Sequence, residues 1–188
     1  MEKYLKLIEF YSKMFTSGYM NDIDLLKMYR EFLKDYIRIC KSNPSYDKDS
    51  KWKLYREGNC YCYSLMIPTP EVFISNYRCK SGYDFSHDIG FISGKEYSDD
   101  IDVCYDNLRS DLDFLGINYY DSDIDSSNKH DGYKIAFYKS IDDFHFLRQN
   151  NDGTWSHKKG YDQIIERINP EDTLFDDFKL IKTLEIVK

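Results

Sequence analysis

Asp143-Phe-His145-Phe-Leu-Arg148-Gln149-Asn150-Asn151-Asp152-Gly153-Thr154-Trp155-Ser156-His157-Lys158 places two short strand-like runs on either side of an Asn-Asn-Asp-Gly turn signal. That pattern predicts a β-hairpin with arms at 144–149 and 154–158. Just upstream, 133–139 alternates apolar and polar residues and predicts a neighbouring strand. A last strand is predicted over 178–187 from Leu180, Ile181, Leu184 and Ile186.

The first half of the chain has a different period. Tyr4, Ile8, Tyr11 and Phe15 fall on one helical face, and Leu26, Tyr29, Leu33, Ile37 and Cys40 fall on another after an Asp22 N-cap candidate. A helical hairpin turning at Gly18 follows. Residues 98–116 predict a further helix that buries Ile101, Cys104, Tyr105, Leu108, Leu112 and Leu115. Helices first and antiparallel strands last give an α+β fold. The division expected is a helical extension over 1–50 and one compact unit over 51–188.

Composition narrows the function. A chain of 188 residues suits one well-buried domain. Its net charge of −7 argues against a nucleic-acid surface. No run of eighteen apolar residues predicts a membrane span, and no secretory leader pattern opens the sequence. Five cysteines, at 40, 60, 62, 79 and 104, read as free thiols in a reducing, cytoplasmic setting. Eighteen tyrosines beside few alanines match AT-rich coding, as in a microbe or a virus, so host cytoplasm or a virion also fits.

Gly58-Asn59-Cys60-Tyr61-Cys62-Tyr63 opens a short apolar run that ends at Pro68-Thr69-Pro70 and predicts a helix of about two turns. A thiol nucleophile attacks as the thiolate, which a helix start stabilises. Cys60 is nearer that start than Cys62, which points about 200° away. The base is His145. Whether His157 joins it depends on register. A turn centred on Asn151 sets the two histidines directly opposite, with Cβ atoms about 5 Å apart. A two-residue Asp152-Gly153 turn sets His157 opposite Arg148 instead, and the rings point apart.

Asn59-Cys60-Tyr-x-Tyr63-x-Leu65, followed by His145 and His157 on consecutive strands, resembles papain-like cysteine hydrolases of the NlpC and CHAP type. The run from Asp143 to Gly160 also looks like a motif of uncharacterised proteins in bacteria and large DNA viruses. Together these cover residues 56–160. The resemblance implies a Cys-bearing helix packed on a small antiparallel sheet and a peptide or protein substrate. It implies Cys60 as nucleophile, His145 as base and His157 as its orienter. Asn59 and the Cys60 backbone N–H become oxyanion donors, Trp155 a cover, and Gln149 and Arg148 substrate-orienting or hairpin-capping residues. Typical members are exported wall hydrolases. A chain without a leader leaves an intracellular protease, deamidase or acyltransferase.

Three other readings accompany this one. A binding or host-interaction protein retaining the fold would use the same residues structurally. Cys60, Cys62, His145 and His157 are legal zinc ligands, but a Cys-x-Cys on one helix cannot aim both sulfurs at one ion, so neither metal nor cofactor is expected. Asp121-x-Asp123-x-Asp125 begins like a calcium loop and then fails at Ser126 and Gly132. Ten aspartates between 99 and 131 read as a solvated acidic surface, and His87 and His130 as surface residues.

Overall fold

Asn21, Asn59 and Asp100 each turn a side-chain oxygen onto backbone N–H groups two or three residues ahead, and a helix starts at each. The first of these moves the cap of the second helix one residue upstream of the Asp22 expected. The structure, a computed structural model, describes residues 2–15, 21–41, 43–46, 58–69, 87–160, 165–172 and 177–188. The predicted turn at Gly18 and Cys79 lie outside them.

Four helices result among the described residues: α1 (Glu2–Phe15), α2 (Asp22–Ile39), α3 (Cys60–Ser64) and α4 (Ile101–Leu115). Gly116 ends α4 in the left-handed conformation, φ 68°, where its N–H closes onto Leu112 and Asp113 carbonyls. Six strands form one open antiparallel sheet: β1 (Asn118–Ser122), β2 (Tyr133–Lys139), β3 (Phe144–Gln149), β4 (Trp155–Lys158), β5 (Ile165–Ile168) and β6 (Lys179–Val187). Their order is β1-β6-β2-β3-β4-β5. The molecule is therefore α+β. β1 and β5 went unread in the sequence, because each is an edge strand held by backbone pairing to one neighbour and carries little alternation.

The two faces of the sheet differ. Ile135, Phe137, Phe144, Phe146, Leu184 and Ile186 belong to the main core with α3, α4 and buried Leu25, Tyr29, Phe32 and Leu33 of α2. Tyr11 of α1 packs on Phe32, ring centroids 5.2 Å apart, and donates to Asp35. Cys104 is buried as expected, while Cys40 is only half-buried at the rim of this core. The opposite face holds a smaller cluster of Ala136, Tyr138, Leu147 and Trp155, with Ile168 and Phe178 against it.

Two polar residues expected at the surface are internal. Asp111 is fully buried: it accepts from Tyr61 Oη and Gly90 N, both at 2.8 Å, and from Ser93 N at 2.6 Å. It joins α4 to α3 and to the turn at 87–94. Burial raises its pKa against the pull of those donors. His87, in the same turn, is buried between the rings of Tyr29 and Phe91. His130 is half-exposed, stacked on Tyr120 at 3.9 Å and bonded to Glu185. The acidic loop after β1 holds an internal cation, because the Lys134 ammonium donates to the carbonyls of Asp123 and Ser126.

Candidate active site

Asn59 sets the nucleophile candidate in place. Its Oδ1 accepts from Tyr61 N at 3.1 Å and Cys62 N at 3.2 Å, and its Nδ2 donates to the His87 carbonyl at 2.9 Å. The side chain expected to serve an oxyanion is thus a helix cap and a tether. The cap leaves the Cys60 N–H outside it. Gly58 is required by close approach, because a Cβ there would lie 2.6 Å from Cys62 Cβ. The geometry also separates the two thiols, with Cys60 on the wall of a cleft and Cys62 fully buried behind it.

A buried clamp seats α3 on the sheet. Arg148 Nη2 donates to Tyr63 Oη at 2.7 Å and Nη1 to the Tyr63 carbonyl at 3.2 Å, with the guanidinium 3.9 Å above the Tyr63 ring. Tyr63 Oη also meets Ser156 Oγ at 2.8 Å, and Tyr61 packs on Phe146 with centroids 5.2 Å apart. Arg148 is therefore committed to seating α3 on the sheet.

The hairpin has neither register drawn from the sequence. Leu147 pairs with His157 and Gln149 with Trp155, so the turn centres on Asp152. The Asp152 carboxylate accepts from Thr154 N and Oγ1, while Asn150 N and Nδ2 donate to the Thr154 carbonyl, and these bonds select the longer turn. His145 and His157 consequently share a face as diagonal neighbours. His145 Nε2 and His157 Nδ1 lie 2.8 Å apart, with the rings perpendicular.

β4 pairs with β3 only from Leu147 onward, which leaves Phe144–Phe146 without a β4 partner in the ladder. Cys60 and His145 reach one cleft of about 650 Å³ at this fork, lined also by Asn59, Asp143, Lys159 and Phe178. They approach it from opposite sides of β3. Cys60 lies on the Phe146 side, its Sγ 3.9 Å from the Phe144 carbonyl, whereas His145 lies on the Leu147 side, its ring near Phe178. Among the described residues no hydrogen bond joins the thiol to the imidazole.

Burial pushes the Cys60 thiol up to about 12, with Phe146 and Tyr61 N–H groups and the Lys158 charge pulling the other way. Burial, then the neighbouring His157 ring and the Lys159 ammonium, push His145 down to about 3. The pair rests as thiol and neutral imidazole.

Two candidates lie elsewhere. Gln149 borders a separate polar cleft with Asn150 and Asn151, and Trp155 packs beside Leu147 and lines a cleft with His157 and Glu166. Cys62 does not join Cys60 and the histidines in a four-ligand cage. Among the described residues no three His, Cys, Asp or Glu side chains converge as metal ligands. Glu166 pairs with His157 from β5 and was missed, since a lone glutamate in a short edge strand carries no sequence signal. Among the described residues no helix is long and apolar enough to cross a membrane. No protein-family model, curated protein or solved structure matches the chain.

Proposed function

We propose that the chain is a papain-like, cysteine-dependent hydrolase or acyltransferase acting on an amide or thioester of a peptide or protein. The observation that carries this reading is the shared cleft: a capped helix start holds Cys60 on the same wall system as His145, whose Nε2 is bound by His157 at 2.8 Å. Nucleophile, base and orienter are the three parts acyl transfer through sulfur requires.

With Nε2 committed to His157, proton transfer falls to Nδ1 of His145. The resting pair is neutral, so the Cys60 proton moves to the imidazole as sulfur attacks the carbonyl. The Cys60 N–H, which the Asn59 cap leaves unused, is assigned as the oxyanion donor. Collapse of the tetrahedral intermediate returns the proton from His145 to the leaving amine or thiol and leaves a thioester on Cys60. Water or an acceptor nucleophile then releases the acyl group by the same steps in reverse order. Substrate binding that draws the imidazole and the thiol together within the cleft fits their approach from opposite sides of β3.

A second reading rests on the raised Cys60 thiol and its contact with the Phe144 carbonyl. Under it the fold is a binding module, and Cys60 packs as a small apolar residue. Native protein treated with limiting iodoacetamide and mapped by mass spectrometry separates the two. Acyl transfer expects selective alkylation of Cys60 that is lost in His145→Ala. Labelling no faster than in the unfolded chain, or unchanged in that variant, sinks the enzymatic reading.

A further inference from the structure

The hydrogen bond between the histidines contains one proton, and the side that supplies it decides what His145 can do. If His145 Nε2–H donates to His157 Nδ1, then Nδ1 of His145 carries a lone pair and can accept a proton. If His157 Nδ1–H donates instead, Nδ1 of His145 is already protonated and cannot act as base. Both rings are buried, with His145 5% and His157 2% exposed, and burial lowers both pKa values, so each stays neutral and the choice is between tautomers.

Glu166 biases that choice from the far side of His157. The two residues pair directly between β4 and β5, so they share a face. Glu166 Oε2 lies 3.8 Å from His157 Nε2, which is ion-pair rather than hydrogen-bond distance. At that separation a carboxylate attracts an N–H and repels a nitrogen lone pair, so it favours the proton on Nε2 of His157. That leaves Nδ1 of His157 as an acceptor and makes His145 the donor. Lys159 Nζ sits 2.8 Å from the same Oε2. It holds the carboxylate in position and partly offsets its pull on the ring.

We propose that Glu166 is a positioning residue that sets the tautomers of both imidazoles, so that His145 keeps an unprotonated Nδ1 for the Cys60 proton. This rests on the acyl-transfer reading for its purpose, but the tautomers themselves are measurable without any activity.

The experiment is long-range proton–nitrogen correlation NMR on the full chain with nitrogen-15 histidine, at pH 7.5, beside timed iodoacetamide labelling of Cys60. Wild type is expected to show both His145 and His157 protonated at Nε2. Glu166→Gln is expected to bring in the Nδ1-protonated forms of both rings together, and Glu166→Asp to restore the wild-type pattern. Glu166 is 46% exposed on its side chain, so these variants should fold. Labelling should slow on the order of 10-fold in Glu166→Gln and recover in Glu166→Asp, well short of the roughly 10⁴-fold that a wrong tautomer costs a buried triad. Wild-type rings protonated at Nδ1, or tautomers that do not move in Glu166→Gln, overturn the assignment of Glu166. Absent selective labelling in wild type overturns the acyl-transfer reading instead, and the tautomer result still decides Glu166.

Discussion

Strand β3 carries a cation on one face and a base candidate on the other, and the two are treated in opposite ways. Arg148, on the α3 face, spends its guanidinium on Tyr63 twice over and stacks on the same ring. His145, one register step away from the Leu147–His157 pair on the other face, bonds another titratable ring beside a cleft. Both are nearly fully buried. What separates them is the chemistry of their partners. A buried arginine closed onto a phenol and a carbonyl fixes a helix on a sheet. A neutral imidazole bound to a second imidazole retains a proton-transfer choice.

That contrast breaks most sharply at the core side chain between them. Phe146→Ala removes the ring that packs on Tyr61 and Phe137 and should cost about 3–5 kcal/mol in urea unfolding. His145→Asn should cost about 1–3 kcal/mol, because it strands the buried His157 nitrogen, and should remove Cys60 labelling. Equal losses from the two substitutions would erase the distinction between a structural and a chemical face. Arg148→Met keeps the apolar stem but forfeits two charged hydrogen bonds, and a loss of about 2–3 kcal/mol is expected. A neutral result there would mean α3 is seated by apolar packing alone.

The pH dependence sharpens the same comparison. His145 is pushed down to about 3, below the ordinary histidine value, so between roughly pH 6.5 and 3 the unfolded chain binds a proton that the folded chain does not. Stability should therefore fall with decreasing pH across that window, by at most about 1.4 kcal/mol per unit from this residue. Subtracting the His145→Asn profile isolates it, and identical acid profiles would refute the burial of a neutral ring. The smallest effect is expected at the cap, where Asn59→Ala should cost about 1 kcal/mol. Asn59→Asp should recover the cap to Tyr61 and Cys62 without the tether to His87.

Much of this molecule can be read from local pattern. The hairpin arms, the strands at 133–139 and near 178–187, the helix starting at Cys60 and the buried Cys104, Leu108, Leu112 and Leu115 of α4 follow from period and turn residues, whereas Ile101, expected on the same stripe, is exposed and Tyr105 only half-buried. Three features escaped for one reason: they depend on neighbours far away in sequence. Asp111 sits in an acidic stretch and looks solvated, yet Tyr61, Gly90 and Ser93 converge on it. Lys134 alternates as a surface lysine would, yet its ammonium fills a ring of loop carbonyls. His87 lies in polar sequence, yet α2 and the 87–94 turn enclose it.

The candidate site divides along the same line. Residue types and spacing alone determined that a cysteine begins a helix, that two histidines flank one turn, and that helices precede an antiparallel sheet, because helix-start, turn and periodicity signals act over a few residues. Tertiary structure decided the rest. The pairing register of β3 with β4 joined the imidazoles, and the parting of β3 from β4 opened the cleft that Cys60 and His145 share. The pairing of β5 with β4 brought Glu166 to His157. Each of these is a relation between strands, and the free energy that selects it comes from hydrogen bonds and burial contributed by both partners at once.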